Sequence, residues 1–158
     1  DLDRDDLLMA VLIGSAIMVP TQFYFSAYSD RNGRKGIFMT GAALTALWAF
    51  AIFPLMASGS FTLAVVAIAV GLTFLGMMYG PQAAFFAELF STEVRYSGAS
   101  LGYQLGAIIG GSFAPIIATL LWKNYDIFWV SVYIAFASIL SLISVYMLTE
   151  TFQKDLND

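Results

Sequence analysis

Residues 29–35, Ser-Asp-Arg-Asn-Gly-Arg-Lys, form a short charged stretch between two long apolar segments, residues 7–28 and 36–56. Arg and Lys are costly to move across a lipid bilayer, and they collect on its cytoplasmic side. The stretch therefore predicts a cytoplasmic loop that joins two transmembrane helices. It also fixes the orientation of the helices on either side of it.

The composition places the rest of the chain in a membrane as well. Of its 158 residues, 59% are hydrophobic and 11% are charged, whereas a soluble domain has about 45–50% apolar and about 25% charged residues. The apolar runs are roughly 20 residues or longer, the length that a helix needs to cross a hydrocarbon core about 30 Å thick. We therefore predict an all-α, polytopic transmembrane helix bundle. A β-barrel would instead show strands that alternate over about ten residues.

The helices are predicted from the apolar runs and their orientation from the cations. Most of the seven Lys and Arg residues fall on the side of the first loop, which predicts an outside N-terminus and a cytoplasmic C-terminus in the plasma membrane. An odd number of spans and an acidic start without Met predict that the chain is part of a longer protein. The spans are residues 7–28, 36–56, 61–87, 98–122 and 127–148, with cytoplasmic loops at 29–35 and 88–97 and a C-terminal tail, containing Lys154, at 149–158.

Several function classes are excluded by what the chain lacks. It has no Cys and no His, so disulfides, the usual zinc sites and Ser-His-Asp or Cys-His catalysis are excluded within it. We predict no metal and no cofactor. A net charge of -4 argues against nucleic acid as a partner. The apolar spans show no cluster of acidic residues of the kind that a membrane enzyme would need, so we predict that the protein is not an enzyme. They also show no ring of charged residues that could line a channel pore, which makes a channel less favoured.

The first loop carries residues suited to a sharp turn and to ion pairing. Gly33 permits a positive φ, Asp30 can cap or face a helix N-terminus, and the guanidinium groups of Arg31 and Arg34 suit carboxylates. Charge alone leaves open whether the cations do more than fix topology. The stretch Ser26-Ala-Tyr28-Ser-Asp30-Arg31-Asn-Gly33-Arg34-Lys35 resembles the loop motif of the major facilitator superfamily, with Ser26 and Tyr28 in place of its usual glycine and leucine.

The second loop strengthens this resemblance. Glu88 and Arg95 bracket the turn between two spans, and residues 80–106 resemble the region between the tenth and eleventh helices of facilitator transporters. More narrowly, the region is similar to the metabolite:proton symporters, which include carriers of shikimate, 2-oxoglutarate, and proline or betaine. The resemblance covers essentially the whole chain, as helices eight to twelve. It implies five spans of the C-terminal six-helix half.

The resemblance implies secondary transport by alternating access. Its expected partners are a small organic acid or zwitterion, protons, membrane lipid and a missing N-terminal half of the same transporter. The spans hold no titratable side chain except tyrosine, so a carboxylate that couples transport to protons is expected in the missing half. The rival interpretation is a non-transporting sensor or structural protein on the same scaffold.

The charges of the two loops are predicted to form a conformational latch. Arg31 or Arg34 would pair with Glu88 or Glu93, and Arg95 would pair with a carboxylate. By the resemblance, Asp30 faces a helix N-terminus. The full set of predicted latch residues is Asp30, Arg31, Gly33, Arg34, Glu88, Glu93 and Arg95.

Three glutamines lie roughly 8–11 Å inside the cytoplasmic ends of their spans, counted at 1.5 Å per residue. An unpaired amide in hydrocarbon costs several kcal/mol, so each needs a partner or a water-filled cavity. Tyr79 shares a helical face with Gln82, and Tyr103 adjoins Gln104. Interhelical hydrogen bonding and contact with a transported solute remain alternatives. The predicted substrate pathway consists of Tyr79, Gln82, Tyr103, Gln104 and Gln22.

The fourth span carries a glycine every four residues, at Gly98, Gly102, Gly106 and Gly110. Small residues at this spacing let another helix approach closely. We predict a packing role for this stripe, although a smooth face also suits helices that slide past one another.

Overall fold

A computed structural model describes residues 2–148 of the chain. Within this range the chain forms helices and no strand, and every helix is long and apolar enough to cross a membrane. The predicted all-α transmembrane bundle is thereby confirmed. The tail at 149–158, with Lys154, lies outside the described residues. The helices are α1 (Arg4–Asn32), α2 (Arg34–Ala57), α3 (Phe61–Glu88), α4 (Arg95–Asn124) and α5 (Ile127–Met147).

Helices α1 to α4 extend beyond the apolar spans that the sequence predicts, whereas α5 ends at Met147, within its predicted span. In place of a seven-residue loop at 29–35, only Gly33 interrupts the helical backbone between α1 and α2. Its φ of 103° lies in the region that glycine adopts without strain, as predicted. The second connection is also shorter than predicted, because α4 begins at Arg95. Hydropathy marks the part of a helix that contacts lipid, whereas polar residues can continue the helix past the membrane surface.

Helix α3 is the centre of the bundle. It packs along α1 on one side and α2 on the other, and α2 also packs against α5. A Cβ atom at Gly41 of α2 would lie 2.9 Å from the Cβ of Met77, and one at Gly80 of α3 would lie 2.7 Å from the carbonyl oxygen of Gln22. Glycine therefore permits α3 to approach both neighbours closely, which is how helices commonly associate in lipid.

Buried side chains form two clusters at different places in the bundle. One cluster joins Ala10 of α1 to Ala64 and Ile68 of α3. The other joins Phe38 of α2, Phe85 of α3 and Val145 of α5. The second cluster lies at the end of the bundle where α2 begins and where α3 and α5 end, so it supports the charged residues at that end.

Helix α4 is the exception to this packing. It touches α3 and α5 only lightly, and none of its residues is buried within the described chain. A cleft therefore opens between α3 and α4.

Candidate functional site

One end of the bundle carries an ion-pair network centred on Arg34, the first residue of α2. Its Nε donates to Oε1 of Glu88, the last residue of α3, over 2.7 Å. Its Nη1 donates to Oδ1 of Asp30, in the last turn of α1, also over 2.7 Å. Because Gly33 turns the chain between α1 and α2, Arg34 can reach both carboxylates. One guanidinium group therefore ties together the ends of three helices.

The Arg34–Glu88 pair is largely shielded from solvent. Their side chains are 14% and 18% exposed, whereas that of Asp30 is 56% exposed. A fully exposed ion pair contributes about 0–1 kcal/mol, and partial dehydration strengthens the attraction between the charges. Water therefore screens the charges of Arg34 and Glu88 less than those of Arg34 and Asp30. The geometry of the Arg34–Glu88 pair matches one of the pairings that the sequence predicts for the latch.

The remaining latch residues are placed differently. Within residues 2–148, Arg31, Glu93 and Arg95 take part in no ion pair. The Nε of Arg95 instead donates to the backbone oxygen of Phe90 over 3.3 Å. The predicted pairing of Arg95 with a carboxylate is thus not formed among the described residues. Asp30 accepts a hydrogen bond from Arg34, the first residue of α2, and its expected position facing the N-terminus of another helix stays a prediction.

Lys35 was not included among the predicted site residues, yet it joins α2 to the end of α5. Its Nζ donates to the backbone oxygens of Tyr146, over 2.8 Å, and Leu148, over 2.6 Å. The same nitrogen lies 5.3 Å from the centre of the Tyr146 ring. The carbonyl groups at a helix C-terminus carry partial negative charge, which attracts a cation. From the sequence one could expect Lys35 to lie near a helix C-terminus, because cations are favoured there. The sequence could not show which helix would end beside Lys35.

The cleft between α3 and α4 has a volume of about 450 Å³, within the range of about 300–1,000 Å³ that small-molecule sites occupy. Helix α3 supplies Tyr79, Gln82 and Phe86 to one wall, at spacings of three and four residues that bring them to one helical face. Helix α4 supplies the facing wall, which consists mainly of glycine and alanine. Its lining residues are Gly102, Tyr103, Gly106, Ala107 and Gly111.

A hydrogen bond between two tyrosines bridges the cleft. The Oη atoms of Tyr79 and Tyr103 lie 3.0 Å apart, and either can be the donor. One hydroxyl hydrogen is used within the pair, so the other remains able to donate to a further acceptor. The two tyrosines, which the sequence placed in one pathway, are therefore brought together across two helices.

The three glutamines do not lie together. Gln82 lines the cleft, and it also lines a second, mostly apolar space of about 370 Å³ toward α5. Gln104 is exposed on α4 outside the cleft lining, and Gln22 is half-buried on α1 beside Gly80. Within residues 2–148, no protein group hydrogen-bonds to the Gln82 carboxamide. A role for Gln22 and Gln104 in a longer pathway stays a prediction.

The glycine stripe of α4 has two different environments. A Cβ atom at Gly98 would lie 2.5 Å from the ring of Phe90, so this glycine makes room for the preceding connection. At Gly102, Gly106 and Gly110 an added Cβ would meet nothing within 4 Å. None of these three glycines is in close contact with another helix among residues 2–148, and the predicted packing role of the stripe stays a prediction.

Three lining residues were missed from the sequence: Phe86, Ala107 and Gly111. A signal existed for the first two, because each lies four residues after a predicted pathway residue on the same helix face. For Gly111 there was none, since it falls outside the four-residue glycine repeat. Among residues 2–148, no group of three or more acidic, Cys or His residues is placed to hold a metal ion.

Comparison with known proteins agrees with this architecture. The family profile described as Major Facilitator Superfamily matches residues 2–157. The chain is 38% identical over 151 residues to an inner membrane metabolite transport protein of Escherichia coli strain K12, covering 95% of this chain and 34% of the relative. It is 29% identical over 150 residues to the shikimate transporter of the same strain, covering 92% of this chain and 34% of that relative.

A third relative, with lower sequence identity, is named after different solutes. The chain is 26% identical over 147 residues to an ectoine/proline transporter of Corynebacterium glutamicum, covering 92% of this chain and 29% of the relative. The chain thus spans about a third of the length of these curated relatives. No solved structure gives a significant match.

Proposed function

Because this chain belongs to the Major Facilitator Superfamily, we propose that the protein carries a small metabolite across the plasma membrane by alternating access. The solute is an organic acid or a zwitterion, and a proton gradient drives its uptake. The chain supplies five helices of the C-terminal half. The remaining helices, absent from this chain, complete the pathway and provide the titratable carboxylate.

The observation that carries the proposal is the α3–α4 cleft with the Tyr79–Tyr103 hydroxyl pair and the Gln82 carboxamide. These groups donate and accept hydrogen bonds without carrying a charge. Neutral groups can orient a solute and still release it, whereas a fixed countercharge in a low-dielectric site binds its partner more tightly. The cleft therefore provides affinity and selectivity, and proton coupling is left to the rest of the protein.

The names of the relatives support the solute class. A shikimate transporter and an ectoine/proline transporter are among them. Shikimate is an organic acid, while proline and ectoine are zwitterions. All are compact polar solutes.

The charged end is proposed to act as a latch during transport. The Arg34–Glu88 pair joins α2 to α3, and Lys35 joins α2 to α5. With these contacts in place, the ends of the helices move together. Breaking them would alter the balance between states that are open to opposite sides of the membrane.

Uptake by the full-length protein tests the proposal. Membrane vesicles containing the protein are given an inward proton gradient and a panel of labelled small solutes that includes shikimate, proline and glycine betaine. We expect accumulation of one or more of these above their external concentration, and loss of that accumulation when a protonophore collapses the gradient. Correctly inserted protein that accumulates no organic acid or zwitterion would favour a sensor or structural role and overturn the proposal.

A further inference from the structure

Proline interrupts two helices that pack along each other. Pro20 lies within α1 and Pro81 within α3, and proline has no N–H group to donate to the carbonyl oxygen four residues earlier. In α1 the next residue is Thr21, whose hydroxyl donates to two carbonyl oxygens of the preceding turn, over 3.0 and 2.8 Å, and such bonds favour bending. In α3 the residue before the proline is Gly80, a poor helix former. Each helix therefore has a point at which bending costs little.

The two weak points lie in one contact between the helices. A Cβ atom added at Gly80 would lie 2.7 Å from the carbonyl oxygen of Gln22 and 3.1 Å from the backbone nitrogen of Ser26. The turn of α3 that ends at Pro81 therefore packs backbone to backbone against the residues of α1 that follow Pro20. Because close-packed groups transmit a displacement, neither helix can bend far here without moving the other.

Beyond the two prolines the same helices are tied together at their ends. Nη1 of Arg34 donates to Asp30 in the last turn of α1, and Nε of the same guanidinium group donates to Glu88 at the end of α3. Residues 21–32 of α1 and 82–88 of α3 are thus joined at both of their ends. Backbone contact joins them beside the prolines, and one guanidinium group joins them at the end of the bundle.

We propose that residues 21–32 of α1 and residues 82–88 of α3, the hinged pair, bend together as one unit about the weak points at Pro20 and Pro81. The inference specifies how the proposed transporter changes shape in this part of the chain, and to that extent it rests on the proposed function. The contacts that join the hinged pair all lie between described helices. They make α1 part of the motion, in addition to the helices that the ion pair to Glu88 connects.

The test observes one helix while the proline of the other is replaced. In the full-length protein, a spin label on a cysteine at position 28 of α1, or at position 83 of α3, is paired with a label at position 47 of α2. All three positions are exposed within the described chain. Wild-type protein should show two label-to-label distances for each pair, one for each shape of the hinged pair.

Replacing either proline should affect both helices. Alanine restores the missing N–H group and favours a helix more than proline does, so the variants are expected to fold. Pro81→Ala should lower the population of the minor distance about fivefold or more at position 83 and also at position 28, although α1 itself is unchanged. Pro20→Ala should do the same at both positions.

Pro54→Ala is the matched control, because Pro54 lies in the last turn of α2 and hardly any helix follows it. It should leave both distance distributions as they are in the wild type. If each substitution alters only the helix that carries it, α1 and α3 bend independently and the proposal is wrong. A single distance for both label pairs in wild-type protein would also overturn it, because neither segment then bends.

Solute uptake measured on the same samples separates this inference from the proposed function. If wild-type protein takes up no solute, the proposed function fails, while the label distances still decide whether the two helices bend together. If uptake is normal and the distances at positions 28 and 83 respond independently, the hinged pair alone is rejected.

Discussion

Arg34 and Glu88 lie 54 residues apart in the sequence, yet Nε of the first is 2.7 Å from Oε1 of the second. The contact joins the first residue of α2 to the last residue of α3, and both side chains are mostly shielded from solvent. It therefore ties the beginning of α2 to the end of α3.

Neutralising this pair should shift the balance between the two open states. We expect Glu88→Gln to cost about 1–3 kcal/mol in the latched state, which corresponds to a change of about 5- to 150-fold in the population ratio. The measurement is the reactivity of a cysteine at position 79, in the cleft, toward an impermeant thiol reagent applied from each side of the full-length protein. Glu93→Gln is the control, because Glu93 is exposed and takes part in no ion pair within residues 2–148. Equal effects of the two substitutions would contradict the latch.

Lys35 should stabilise the last turn of α5. Its ammonium group contacts two backbone oxygens there, and a cation at a helix C-terminus contributes about 0.3–1 kcal/mol. We expect Lys35→Met to increase amide hydrogen exchange in this turn by about 2- to 5-fold. Lys35→Arg retains the charge and should stay close to wild type. Unchanged exchange in Lys35→Met would mean that the contact contributes nothing to the stability of α5.

The Tyr79–Tyr103 hydrogen bond should couple α3 to α4 during transport. Removing either hydroxyl leaves one partner unpaired, whereas removing both leaves two apolar rings, so the double variant should be less impaired than the sum of the single ones. We expect a coupling energy of about 0.5–1.5 kcal/mol from the apparent Michaelis constants of Tyr79→Phe, Tyr103→Phe and the double variant. Tyr24→Phe, on α1 outside the cleft, is the control. If the free-energy effects of the two single substitutions add up to that of the double variant, the two hydroxyl groups are not coupled during transport.

Gln82 should affect solute affinity and leave proton coupling intact. Loss of a neutral hydrogen bond costs about 0.5–1.5 kcal/mol, so Gln82→Leu should raise the apparent Michaelis constant about 2- to 12-fold without altering the pH dependence of uptake. Gln104→Leu extends the test to a residue outside the cleft lining. A comparable loss there would extend the pathway beyond the cleft. Normal transport with reduced thermal stability in both variants would identify the glutamines as interhelical contacts.

The orientation of the bundle can be tested at two exposed asparagines. Asn32 ends α1 and Asn124 ends α4, and the distribution of cations predicts that they lie on opposite sides of the membrane. In the full-length protein, cysteines at these positions should react with an impermeant thiol reagent from opposite faces, position 32 from the cytoplasm. Labelling of both from one face would refute the predicted topology.

The sequence was most informative where one residue type has one physical consequence. Apolar runs of membrane-spanning length predicted the helices, and Gly33 predicted the positive φ of the turn. Tyr79 and Gln82 are three residues apart and do share a face. Sequence neighbours on a helix differ by about 100° in direction, which explains why Tyr103 lines the cleft and Gln104 does not.

What could not be predicted depends on the relative positions of helices. Hydropathy could not predict that α4 packs lightly, because the hydropathy of α4 resembles that of the well-packed helix α2. The four-residue glycine repeat is compatible with a packed helix or with an open cleft. A Cβ added at Gly102 or Gly106 would meet no atom of the described residues, so the predicted packing role stays a prediction. Likewise, the cation at Lys35 predicted a membrane side, but its contact with α5 required the bundle to be assembled.

The central position of α3 has a consequence for biosynthesis. Helices α1 and α2 are joined by Gly33 alone, yet they touch each other little, and both pack chiefly against α3. As the ribosome delivers the chain, α1 and α2 reach the bilayer before the surface of α3 against which they pack. A nascent chain that ends before Glu88, and so lacks a complete α3, leaves the small-residue faces of both helices open to lipid and to the cell's quality-control proteases. Helices α1 and α2 are therefore inserted before α3, but they can pack only after α3 has been inserted.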